Sequence, residues 1–282
     1  MFLAGIAAAS TGVVATAPAS AAQRTTYLVS GNKNAPHKLE RAGFTVQHEL
    51  SAANVIIVAG PDDAERDIQR VNGVQHVARD VAYEVGEAPV APADATPEPR
   101  YADRQWDKQV TEAFEAHETA TGEGTRLAIM DTGVDATHPD LKDNVNTNLG
   151  RSFINGEIGT DTSPVHPHGT HTAGIAGATG DVGVVGMAPD TEIVPLRVFA
   201  KEGPLIEKVS DCLLAFDYAA EIGADAVNVS LGWDPRPPQE NQIARGVRRV
   251  ICERVVRSVV RRGTTAVVAA GNADWDLQHG GY

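Results

Sequence analysis

The chain has 282 residues, 42% hydrophobic and 22% charged. That is enough to bury a core without covalent staples, and it argues against wholesale disorder. A formal net charge of −13 repels polyphosphate and makes nucleic acid an unexpected partner. Two cysteines, Cys212 and Cys252, supply neither a disulfide framework nor a four-cysteine zinc site; one bridge or two buried thiols both stay open.

Residues 2–22 carry no charge and end in small residues, Ala17-Pro18-Ala19-Ser20-Ala21-Ala22. The apolar part is too short to span a bilayer, so an export signal over residues 1–22, cleaved after Ala22, is expected, although no Lys or Arg precedes it. No later apolar run reaches 18 residues, so no membrane partner is expected.

Residues 23–85 read as a separate small domain. Strands are expected over 27–30, 44–50 and 54–59, a short helix over 36–41, and a second helix opening at Pro61-Asp62-Asp63. An extended run over 74–83 closes the order β-α-β-β-α-β, the split βαβ pattern of ferredoxin-like domains. Residues 86–100 hold Gly86, Pro89, Pro92, Pro97 and Pro99 among Ala, Asp and Glu, a linker composition. From 101 to 282 the chain alternates. Helices are expected over 110–117, 168–178, 209–222 and 241–262. Apolar strands are expected over 127–130, 193–199, 226–230 and 265–269. That alternation implies an α/β fold with a doubly wound, mostly parallel sheet, whose ligands bind beyond the carboxyl ends of its strands.

The chemistry-bearing residues fall at those ends. Asp131-Thr132-Gly133 follows the first strand, where an ionised carboxylate can orient a basic side chain; taken alone, an Asp-Thr-Gly turn reads as well. His168-Gly169-Thr170-His171 opens a small-residue helix, whose positive end favours a neutral, proton-accepting imidazole. Packing histidines are the plain alternative. Three histidines within six residues (His166, His168 and His171) also suggest a metal, but the Glu of a His-Glu-x-x-His signature is absent. Asn228-Val229-Ser230-Leu231-Gly232 and Ala269-Ala270-Gly271-Asn272 each run from a strand into a turn, and the Asn272 amide can donate to a developing oxyanion.

In this order the four motifs resemble the subtilisin-like serine proteases, the subtilases. The likeness extends through Val134 to Leu141 and through Gly183-Val184-Val185-Gly186-Met187-Ala188-Pro189. It implies a secreted endopeptidase precursor, monomeric and acting on polypeptides. Asp131 would be the triad acid, His168 the general base, His171 a buried structural histidine and Asn272 the oxyanion donor. Ser230, Leu231 and Gly232, with Ala269, Ala270 and Gly271, would line the substrate cleft. Residues 23–85 would be an inhibitory prosegment, a partner in cis, with Tyr83-Glu84-Val85 lying beside Ser230-Leu231-Gly232. The likeness also implies a structural calcium ion near Asp140, Asp181 and Glu98, hard oxygen donors from separate loops.

One part of the pattern is missing. The family's nucleophile lies in a Gly-Thr-Ser-x-Ala motif after the oxyanion Asn, and none of the serines here, Ser230 included, sits in one. The 282-residue chain is therefore expected to be inactive and truncated, with the helix over 209–222 partly uncovered. The alternatives are a non-catalytic binding or inhibitory module, and a metal-dependent hydrolase built on the three histidines.

Overall fold

The computed structural model describes residues 24–84, 101–203, 205–232 and 242–271. The N-terminal unit holds β1 (Thr25–Gly31), α1 (Ala35–Arg41), β2 (Thr45–Leu50), β3 (Val55–Gly60), α2 (Glu65–Arg70), β4 (Val74–Arg79) and β5 (Ala82–Glu84). Its four-stranded antiparallel sheet has the order β2-β3-β1-β4, the split βαβ arrangement read from the sequence. All six residues of β3 are buried because both sheet faces are covered. Ile56 and Val58 share a cluster with Tyr27, Val29, Leu39 and Ile68, which roofs one face with the two helices. Val55 and Ile57, with Leu28, Leu50 and Ala78, face the other way into the main core.

The second part begins with α3 (Trp106–Val110) and α4 (Ala113–His117). It continues with β6 (Arg126–Asp131), β7 (Arg151–Ile154), β8 (Glu157–Gly159), α5 (His168–Gly177), β9 (Glu192–Arg197) and β10 (Ile206–Lys208). The last elements are α6 (Val209–Glu221), β11 (Ala226–Val229), α7 (Gln242–Arg261) and β12 (Thr265–Val268). Its six-stranded sheet runs β12-β11-β6-β9-β7-β8, parallel except for the β7–β8 hairpin. Alternate residues of the central strands enter different cores, as a pleated strand covered on both faces requires. Ala128, Met130, Val194 and Leu196 pack with α6 residues, while Ile129 and Ile193 pack with Ala173 of α5.

Several local expectations need correction. The second helix begins at Glu65, not at Pro61. Asp63 is left-handed, with φ 59°, and the Tyr27 hydroxyl ties the turn by donating to the Pro61 carbonyl at 2.6 Å while accepting from the Ala64 N–H at 3.0 Å. The helix expected over 110–117 is two short helices, broken where Glu112 adopts φ 56°. The extended run over 74–83 divides at Asp80-Val81. The α6 helix is not uncovered, since every residue from Val209 to Phe216 is buried. The exposed apolar strand is β12, with Val267 and Val268 at 49% and 57% exposure. Neither cysteine is bridged; Cys212 is buried and Cys252 half-buried. Among the described residues no helix is long and apolar enough to cross a membrane.

The N-terminal unit docks through three contacts. Its β5 pairs antiparallel with β10, Tyr83 opposite Glu207. The Asp80 carboxylate accepts the Ser210 N–H at 3.1 Å and the Ser210 hydroxyl at 2.6 Å, which caps the start of α6. Its inner sheet face shares one cluster with Ile251, Val255 and Val259 of α7.

Candidate active site

The parallel register puts the ends of β6, β11 and β12 side by side, with Met130 level with Val229 and Val229 level with Val268. Asp131, Ser230-Leu231-Gly232 and Ala269-Ala270-Gly271 thus emerge at one edge of the sheet. Asp131 is the last residue of β6 and is fully buried. His168 is the first residue of α5, and its side chain is 26% exposed.

The two side chains meet. His168 Nδ1 lies 2.8 Å from Asp131 Oδ1 and 2.9 Å from Oδ2. The Thr132 N–H donates to Oδ1 at 2.7 Å, and the Thr172 hydroxyl reaches Oδ2 at 3.1 Å. The hydrogen bond to Asp131 raises the His168 pKa above its ordinary 6.5, against the opposing effect of burial. The expectation that the helix start would favour the neutral ring is therefore corrected. A charge-assisted bond to a buried carboxylate outweighs the partial charge at a helix end. A bond at Nδ1 leaves Nε2 as the ring's proton-accepting atom.

Backbone closeness makes this meeting possible. A Cβ on Gly169 would lie 2.2 Å from the Gly133 carbonyl oxygen, so the residue after His168 has to be glycine. The Thr132 hydroxyl sews the same seam, accepting from the Gly169 N–H at 2.9 Å and donating to the His166 carbonyl at 2.8 Å. Gly169→Ala is expected to cost about 1–3 kcal/mol through forced backbone movement. A denaturant midpoint unchanged by the substitution would contradict this packing.

The other expected residues fall as follows. The Ser230 hydroxyl accepts from Asn228 Nδ2 at 3.0 Å; Leu231 is buried and Gly232 exposed. Ala269, Ala270 and Gly271 are exposed, Gly271 with φ 93°. Asn272 and Glu98 lie outside the described residues. His171 is exposed, not buried, because α5 packs through Gly169, Ala173 and Gly177, one turn apart each, and position 171 is on the opposite side. His166 Nδ1 accepts the His168 N–H at 3.2 Å, so the three histidines do not share one focus.

Calcium is poorly served by the side chains present. Asp140 is buried, and each of its oxygens already accepts a backbone amide, Val182 at 2.8 Å and Val184 at 3.2 Å. Asp181 is exposed, and among the described residues no three His, Cys, Asp or Glu side chains could together hold a metal ion. The carboxylate pins the loop directly, so these side chains do not fit a cation cage.

Comparison with known proteins agrees with the arrangement at the sheet edge. Residues 122–281 match the subtilase family, Peptidase_S8. The chain belongs to the subtilase family. This subtilase is 34% identical over 178 residues to the thermophilic serine proteinase of Bacillus sp. (strain AK1), covering 62% of this chain and 37% of that protein. It is 34% identical over 170 residues to Subtilisin Savinase of Lederbergia lenta, covering 60% and 55%. The subtilase thus spans about a third to a half of the length of these two relatives. Among solved structures, the epidermin leader peptide processing serine protease EpiP of Staphylococcus aureus superposes with a TM-score of 0.66 at 19% identity, over 89% of this chain and 60% of that one. Fervidolysin of Fervidobacterium pennivorans gives 0.61 at 21% identity, over 89% and 40%. At such identities these two likenesses speak for the fold alone.

Sequence reading missed Thr132, Thr172, Asp80 and Asp211. A signal existed for Thr172, which lies four residues after His168 on a helix and so one turn along the same face. Thr132 stands inside the Asp131-Thr132-Gly133 motif, but no pattern marked Asp80 or Asp211, whose partners are far along the chain.

Proposed function

We propose that the chain carries the acid and the base of a serine endopeptidase, and that the finished site hydrolyses peptide bonds in polypeptide substrates. The observation that carries this reading is the 2.8 Å contact between the fully buried Asp131 and His168 Nδ1. Asp131 orients the imidazole, holds its tautomer and stabilises the imidazolium that forms when Nε2 takes the nucleophile's proton. Asn272 would donate to the oxyanion, and Ser230-Leu231-Gly232 with Ala269-Ala270-Gly271 would bind the extended substrate. The serine itself is in none of the 282 residues in its family motif. Titration of 13Cε1-labelled histidine tests the pair. His168 is expected to titrate above 6.5 and to fall in Asp131→Asn. A His168 that titrates at 6.5 in both chains would overturn the reading.

Residues 23–85 act, in this proposal, as the inhibitory prosegment of a secreted, monomeric precursor, residues 1–22 being the export signal. The sheet order, the β5–β10 pairing and the Asp80 cap support this. Strand addition is a known way for one polypeptide segment to hold another. Tyr83 and Glu84 pair with Glu207 and Ile206 of β10, and the other edge of β5 is the one that would lie beside Ser230-Leu231-Gly232 in this proposal. Val85 lies outside the described residues.

The docked interface buries carboxylates, and this predicts a pH dependence. Burial raises the Asp80 pKa despite its two Ser210 bonds. Burial also raises Asp211, which accepts the Asn155 and Gly156 N–H groups at 2.8 Å each, to about 6. A carboxyl whose folded pKa is raised contributes stability that is complete below its unfolded value and lost as pH rises through the folded one. The contribution of Asp211 is therefore lost between 3.8 and about 6. Asp211→Asn, which removes that titration, should flatten the fall of melting temperature across that window. An unchanged slope would contradict it. Excess chelator is expected to leave the melting temperature unmoved, as the bonded Asp140 carboxylate requires; a fall of several degrees would restore the calcium ion that the family likeness implies.

A further inference from the structure

We infer that Thr172 is a positioning residue for the Asp131–His168 pair, its hydroxyl fixing the plane of the Asp131 carboxylate against the imidazole. The inference deepens the proposed function and rests on it.

The His168 Nδ1 straddles the two carboxylate oxygens, 2.8 Å from one and 2.9 Å from the other. That contact alone leaves the carboxylate free to turn about its Cβ–Cγ bond. Two further donors stop it, one on each oxygen. The Thr132 N–H holds Oδ1 from the end of β6, and the Thr172 hydroxyl holds Oδ2 from the second turn of α5. Thr172 is the one side-chain donor to Asp131 besides His168 among the described residues. It stands on the same helix as His168, so the carboxylate is anchored both to its own strand and to the element that presents the base.

The plain alternative is that Thr172 only bonds back to its own helix. Its hydroxyl lies 2.7 Å from the His168 carbonyl and 3.3 Å from that of Gly169, the usual habit of a helical threonine. But a hydroxyl has one proton and three acceptors stand around it. If that proton stayed on the His168 carbonyl, a hydroxyl lone pair would face an ionised carboxylate 3.1 Å away, and Asp131 is fully buried. A charged acceptor forms roughly twice as strong a bond as a neutral one, and a lone pair turned toward a buried anion is repelled. The proton therefore belongs on Asp131, and the helix carbonyls keep their own amide partners.

The test uses the whole 282-residue chain with 13Cε1-labelled histidine, the His168 signal being assigned by its loss in His168→Gln. Thr172→Val keeps the shape and removes the donor; Thr172→Ser keeps the donor. The expected result is a His168 titration moved off its wild-type position in Thr172→Val, by less than in Asp131→Asn, and restored to the wild-type position in Thr172→Ser. A merely structural threonine would lower the melting temperature in Thr172→Val and leave the titration where it was. That outcome overturns the inference, as does a serine variant that titrates like the valine. The two failures are separable. If Asp131→Asn shifts His168 and Thr172→Val does not, only this inference falls. If neither substitution shifts it, the acid–base pair itself falls.

Discussion

Purified as the 282-residue chain, the protein is expected to leave a generic peptide substrate intact and to take no serine-reactive fluorophosphonate label. A base without a nucleophile has nothing to activate. Four of the described serines are occupied elsewhere. Ser30 bonds His76 at 2.9 Å, Ser163 bonds Asp161, Ser210 bonds Asp80 at 2.6 Å and Ser230 accepts from Asn228 at 3.0 Å. None of these partners is His168. In subtilisin, loss of the serine lowers turnover by about a million-fold, a value that belongs to that enzyme and not to this chain. Stoichiometric labelling at Ser230, the serine nearest in sequence to the expected cleft, would show that a different nucleophile had been recruited.

Removing residues 24–84 should have an equally large effect, on folding. The core does not stop at the boundary between the two parts. Leu28, Leu50, Val55, Ile57 and Ala78 of the N-terminal unit belong to one cluster with Val209, Ile251, Val255 and Val259. Stripping that cover exposes side chains worth about 1.5–3 kcal/mol each. Three or four of them approach the roughly 5–15 kcal/mol that holds a whole domain folded. The same deletion takes the Asp80 cap from α6 and the β5 partner from β10. A 101–282 chain is expected to melt without a cooperative transition and to bind a hydrophobic dye. A sharp transition in a dye-excluding, monodisperse sample would contradict the shared core.

How much of this was legible in the sequence depended on range. The strands around Asp131 could be read because a parallel strand covered on both faces is apolar throughout, and Leu127-Ala128-Ile129-Met130 is that. The Asp131–His168 pair could be placed because each residue stands at the end of a regular element, so register alone brings both to one edge. Breaks set by a single left-handed residue were not legible, as at Glu112 and Asp63. The β7–β8 hairpin was missed although Asn155-Gly156, with φ 56° and 80°, is a standard hairpin-turn pair; its strands are only four and three residues long. The burial of Asp80 and Asp211 could not be foreseen, because their partners, Ser210 for the one and Asn155 and Gly156 for the other, stand more than 50 residues away along the chain. His171 was misjudged because its motif neighbours face the sheet and it does not.

The most direct test of the central claim supplies the missing nucleophile. Residues 1–271 of this chain would be joined to the C-terminal segment of Subtilisin Savinase that bears its serine motif, and the folded chimera assayed for casein cleavage and fluorophosphonate labelling. The account predicts that both appear and that both are lost in His168→Ala. A folded, monodisperse chimera that stays unlabelled, or one whose labelling survives His168→Ala, would contradict the assignment of Asp131 and His168 as the acid and base of a serine endopeptidase.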